Sequence, residues 1–163
     1  ARPLRYMDRY VTVKPGEAMY MTEALANLEG IERGPAGNTA LAAAFSLAQE
    51  VPEDAVIVIS ETEYTGAGKH IQPQLSFARE NGIEIRFGDP AKEDKPGENI
   101  ILPKDPGYIK HQEADINHFR QSLIKKAVKK AGVDADKLTD ADIEFLVAET
   151  KTDVDFVKKT LGL

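Results

Sequence analysis

Thr65, Gly66, Gly68 and Lys69 stand together in the stretch ETEYTGAGKH, residues 61–70, between the apolar run AVIVIS and an amphipathic segment. A hydroxyl beside two residues without a Cβ is the equipment of a ligand loop. The glycines let the backbone turn sharply and approach a bound group, and Thr65 can donate or accept a hydrogen bond. Several loop chemistries fail on spacing. A P-loop requires Gly where Glu63 stands and Ser or Thr where His70 stands. A dinucleotide fingerprint requires Gly or Ala where Ile71 stands. No Gly-x-Ser-x-Gly elbow occurs. His70, His111 and His118 follow no metal-ligand spacing and read as surface histidines. Cysteine is absent, which removes disulfide and thiolate chemistry from these residues.

A second glycine-rich turn, EGIERGPAGNTAL, runs from Glu29 to Leu41 into a helix. Its amides are expected to face an anion or a polar ring. The elements around both turns alternate. Residues 10–13 are β-prone, and a helix is expected from Glu17 to Leu28 with Gly30 as its stop. Asn38 and Thr39 can cap a second helix. Ala55–Ser60 reads as a short strand buried on both faces. Pro73 opens a third helix that Asn81-Gly82 ends, and Ile83–Phe87 alternates as a more exposed strand. Two such β-loop-helix-β passages predict parallel pairing through right-handed crossovers.

Residues 88–107, rich in proline and glycine, read as an irregular connection anchored only by Ile100, Ile101 and Leu102. Beyond it Ile116–Ala131 is an amphipathic helix whose KKAVKK cluster reads as a solvated face. Thr139-x-x-Asp142 and Thr152-x-x-Asp155 have the spacing of helix starts.

At 163 residues and 42% apolar, one domain with a sizeable core is within reach. The 21 basic residues against 27 acidic ones leave a net charge of −6, which argues against a basic nucleic-acid face. No apolar run approaches the roughly 20 residues that span a bilayer, and the start ARPLRYMDRY has no signal-type core. A soluble, cytoplasmic chain is expected. Because it starts without Met in a strand lead-in, it reads as a piece of something longer.

The order of these parts resembles the C-terminal portion of the fold-type II pyridoxal-phosphate enzymes, the family of cysteine synthase, threonine synthase and the tryptophan synthase beta chain. The residues that carry the resemblance are VTVKPGEAMYMTEALANL, then EGI and its glycine turn, the Ala-rich NTALAAAFSLA, and AVIVIS followed by Thr65-Gly66-Ala67-Gly68-Lys69. They cover roughly residues 8–88, and the two motifs in this order are more specific than either alone. The resemblance implies an α/β fold: residues 1–88 as part of a parallel or mixed-sheet catalytic domain, 89–108 as an irregular linker, and 109–163 as a helical appendage. It implies pyridoxal 5′-phosphate as cofactor, with the Thr65 hydroxyl meeting the pyridine nitrogen while Gly66 and Gly68 let the backbone come near the ring. It also implies that the Schiff-base lysine belongs to a Ser/Asn-x-Lys segment before residue 1. Lys69 then becomes a pocket-rim cation, no catalytic residue lies in this chain, and the chain alone is inactive. Glu61, Thr62 and Glu63 lengthen the family's spacing between strand and hydroxyl. An amino-acid lyase or β-replacement synthase shares the same loop. A non-enzymatic assembly module, its helical tail docking a partner, is the alternative outside enzymology.

Overall fold

The computed structural model describes residues 4–61 and 70–163. It divides into two compact units, residues 11–112 in one and the N-terminal residues through Tyr10 with Glu113–Leu163 in the other. The class is mixed α/β with small sheets. No described helix is long and apolar enough to cross a membrane.

In the first unit the chain passes through β1 (Val11–Thr12) into α1 (Pro15–Glu29). Pro15 suits the first helical turn because its missing N–H would have had no partner there. Glu17 closes the helix start by accepting the Lys14 amide at 2.6 Å, and its other oxygen accepts the Lys110 amide at 2.9 Å. The carboxylate is fully buried, and burial raises its pKa against the pull of those two amides and Lys14. Gly16 is required by packing: a Cβ there would lie 1.8 Å from the Ile101 carbonyl oxygen. Gly30 is required by conformation, ending α1 at φ 67° in the left-handed region.

The second helix, α2 (Asn38–Ala48), packs Ala42 against Met21 of α1 and the buried Ile109. Helix α3 (Gln72–Glu80) buries Leu75 with Ile71 and Leu102. After Asn81-Gly82 comes β2 (Glu84–Gly88), then the four-residue α4 (Pro90–Glu93), then β3 (Asn99–Pro103). Strands β2 and β3 pair in parallel, from Glu84 opposite Asn99 to Gly88 opposite Pro103. β4 (Gln112–Glu113) pairs with β1.

Two expectations are corrected. The stretch 88–107 is not wholly irregular, because it contains β3, whose Ile101, Leu102 and Pro103 are buried. Side-chain hydrogen bonds fold the approach to it: Asn99 accepts the Lys95 amide at 2.7 Å and donates to the Glu93 carbonyl at 3.1 Å. Periodicity could not show this, since three apolar residues between prolines become a strand only when β2 supplies its partners. Conversely, Ala55–Ser60 is not a buried strand. It runs extended without a strand partner among the described residues, with Val56 88% and Val58 91% exposed. An apolar run is buried on both faces only where neighbouring strands take up its amides, and no described strand does.

In the second unit α5 (Ile116–Ala131), α6 (Asp140–Thr150) and α7 (Val154–Leu161) surround Ile124, Ile143, Leu146 and Val157. Thr139 and Asp142 form the expected reciprocal cap of α6. For α7 the cap is Asp153, which accepts the Phe156 amide at 2.7 Å, while Thr152 pairs with the Thr150 hydroxyl at 2.8 Å. The 3-10 turn Leu4–Tyr6 joins this unit through Arg5–Glu149 at 2.8 Å.

Gly16→Ala is expected to cost the upper end of the ~1–3 kcal/mol of an overpacked site, against ~1 kcal/mol for Gly30→Ala, whose added methyl meets open space. Urea midpoints give the comparison. Glu17 supplies a pH test. With its native pKa above the ordinary 4.5, the folded state holds the proton over a range where the unfolded state has released it. This group's stability contribution is therefore full at acid pH and falls as pH rises through the native value. Glu17→Gln should flatten that decline, and unfolding curves measured across this range would read it.

Candidate functional site

The residues leading into and out of the loop that carries the predicted site are fixed to the first unit by different means. At its downstream end the Ile71 amide donates to Glu23 Oε1 of α1 at 3.2 Å, and Ile71 is buried. At its upstream end Glu61 has both carboxylate oxygens buried with no hydrogen-bond partner. Burial pushes its pKa up, opposed by the positive charge of Arg33 from the second glycine turn. Thr65, Gly66, Gly68 and Lys69 lie outside the described residues.

The second glycine turn is built differently from the expected anion cradle. The amides of Asn38, Thr39 and Ala40 are taken by the carbonyls of Gly34, Ala36 and Gly37 at 3.2, 3.4 and 3.3 Å. Asn38 is not a helix cap either. The residue before it, Gly37, occupies the cap in helical conformation, and the Asn38 side chain turns into the interior. Its Nδ2 donates to the Thr22 hydroxyl at 3.1 Å and to the carbonyls of Arg33 and Gly34 at 3.3 and 3.2 Å. Thr22 in turn donates to the Ala18 carbonyl at 2.8 Å, locking α1 to the turn. Asn38 Oδ1 remains buried without a partner. Nothing in the sequence marks Thr22 and Asn38 as a buried pair beyond a hydroxyl interrupting the apolar face of α1.

These side chains offer vacant acceptors: Glu61 Oε1 and Oε2, and Asn38 Oδ1. Unpaired buried acceptors are costly and suit a group that brings N–H or O–H donors. They fit an amine or another group that brings N–H donors.

His111 was expected at the surface, but its side chain is only 7% exposed. Ser46 Oγ accepts the His111 amide at 2.9 Å and meets its Nδ1 at 3.0 Å, while Nε2 faces a Glu50 carboxylate oxygen at 3.5 Å. The constellation has the residue types of a hydrolase triad without its function. The Ser46 hydroxyl is enclosed and already engaged with both the amide and the ring, leaving no access for a substrate carbonyl. When that hydroxyl donates to Nδ1, the ring proton sits on Nε2, directed at Glu50. The three residues tie the 109–112 segment to α2.

Beside α1 and α3, Tyr20, Ala24, Leu28, Ile71, Leu75 and Phe87 line part of a cleft of about 510 Å³. This is the size of a small-molecule pocket. Its apolar walls supply shape, and Glu23 and Arg79 supply charge at the rim.

Comparison with known proteins places these observations. Over 161 residues, 99% of this chain, the sequence is 65% identical to a protein of Acetoanaerobium sticklandii named 2-amino-4-ketopentanoate thiolase beta subunit. It is 55% identical over the same length to a second protein of that name from an unknown prokaryote. The chain spans 34% of the length of each of these curated relatives. No family model matches, and no solved structure matches.

Ser46→Ala is expected to cost about 1–3 kcal/mol by stranding the His111 amide, visible in a urea midpoint. A fluorophosphonate that labels activated serines should leave Ser46 unmodified in the folded protein. Labelling there would give the Ser46–His111 pair the nucleophilic role denied to it above.

Proposed function

We propose that this chain is a segment of the beta subunit of a thiolase acting on 2-amino-4-oxopentanoate, the keto acid that the relatives' names specify. The observation that carries the reading is 65% identity over 99% of the chain. The whole subunit, with an alpha subunit as partner in an oligomer, would convert 2-amino-4-oxopentanoate and coenzyme A to acetyl-CoA and alanine, a step of ornithine degradation.

The chemistry asked of such a protein is thiolysis. The coenzyme A thiolate attacks the C4 carbonyl, the C3–C4 bond breaks, and the acetyl group leaves on sulfur. The electron pair left on C3, the future β-carbon of alanine, then takes up a proton. Pyridoxal 5′-phosphate, when bound in a fold-type II scaffold, supplies the electron sink for that pair.

In this reading Thr65 donates its hydroxyl hydrogen to the ring nitrogen. A neutral donor, unlike a carboxylate, does not hold that nitrogen protonated, and so moderates the ring. Gly66 and Gly68 bring the backbone close to the ring face. Glu61, whose carboxylate oxygens are buried with no donor among the described residues, would accept from the substrate's amino group. Lys69 contributes positive charge at the rim.

The test uses the full-length subunit with its partner. Acetyl-CoA and alanine should appear from 2-amino-4-oxopentanoate only when coenzyme A is added, and cofactor-loaded protein that forms neither would reject the assignment. Thr65→Ala and Thr65→Asp should each shift or abolish the cofactor's absorbance. An unchanged spectrum with unchanged activity in both variants would remove Thr65 from the ring.

A further inference from the structure

The helical unit carries Lys125, Lys126, Lys129 and Lys130 on α5, and Lys158 and Lys159 on α7, and none of the six side chains makes an ion pair or hydrogen bond among the described residues. Helix dipoles account for those in the last turns, Lys129, Lys130, Lys158 and Lys159. They do not account for Lys125, which lies a turn earlier, nor for its meeting Lys159 across a cleft. Gln121 and Lys125 are one turn apart on α5, and Phe156, Lys159 and Thr160 share a face of α7. Between them lies a cleft of about 220 Å³. Its lining offers two ammonium groups, an amide and a hydroxyl, none of them used among the described residues, and no carboxylate. Phe156 packs on the core cluster and gives the cleft an aromatic wall.

Such a lining selects an anion: every polar side chain in it can donate, and two of them carry charge. Size narrows the choice. Whole small molecules take roughly 300–1,000 Å³, so this cleft suits one charged end of a longer ligand rather than all of it. We propose that the α5–α7 cleft seats the phosphate-bearing adenosine end of coenzyme A, an inference that rests on the thiolytic reading above. The thiol end of coenzyme A is uncharged pantetheine, so anchoring at the phosphates supplies affinity remote from the reacting sulfur.

The test measures dissociation constants for coenzyme A, adenosine 3′,5′-bisphosphate, inorganic phosphate and pantetheine on the full-length subunit with its partner. Lys125→Gln and Lys159→Gln should each weaken coenzyme A binding about tenfold, the scale of one charge-assisted hydrogen bond, and together more. The bisphosphate should weaken in parallel, with pantetheine binding unmoved. Lys125→Arg, which keeps the charge, should retain binding. Lys130→Gln, outside the cleft, should have no effect. Tighter binding of inorganic phosphate than of the bisphosphate would overturn the nucleotide assignment. A double variant that binds coenzyme A like the wild type would overturn the site while leaving the thiolytic reading intact. Loss of pantetheine binding or of partner association in the same variant would overturn it too, assigning these lysines to folding or docking. A wild-type complex that neither binds coenzyme A nor forms acetyl-CoA would instead defeat the thiolytic reading itself.

Discussion

A buried carboxylate organises the first unit. Glu17 holds the amide of Lys14, 3 residues away in sequence, and that of Lys110, 93 residues away, on one side chain. Enclosing an ionisable group is unfavourable by itself, as its raised pKa shows, so the arrangement persists only while both amides are in place. The neighbouring Gly16 adds a steric condition, since α1 can start where it does only by lying against the Ile101 carbonyl. Together they bring the start of α1, the middle of β3 and the 109–111 segment to one place. Ile109 is then buried with Met21 and Ala42, and His111 comes within reach of Ser46.

The polar interior of that unit is incomplete in a consistent way. Thr22 and Asn38 close a network between α1 and the second glycine turn, yet one oxygen of Asn38 and both of Glu61 have no donor. A folded protein leaves few such groups unpaired, and a cluster of them beside a loop is a reason to look for a ligand that brings hydrogens. The exposed run Val56–Val58 is a second incompleteness of the same unit. No described strand pairs with it.

The helical unit is closed by contrast, with capped helices around Ile124, Ile143, Leu146 and Val157. What it leaves open is charge. Its carboxylates concentrate at helix starts, where Asp115, Asp142 and Asp153 take up amides. The side chains of its lysines on α5 and α7 have no such employment among the described residues, and Lys125 and Lys159 line one cleft together.

Local chemistry was legible in the sequence wherever one segment contains all of its own determinants. Gly30 ends α1, Asn81-Gly82 ends α3, and Thr139 with Asp142 opens α6, because a helix end is satisfied by residues within a turn of it. Tertiary structure alone decided what depends on distant partners. It made a strand of Asn99–Pro103 by setting it beside β2, and left Ala55–Ser60 unpaired. It turned Asn38 from a helix cap into a buried bridge, and drew His111 inside against Ser46. Hydrogen-bond partners, burial and the convergence of two lysines on one cleft are properties of positions in space, and residue order along the chain does not contain them until the chain is folded.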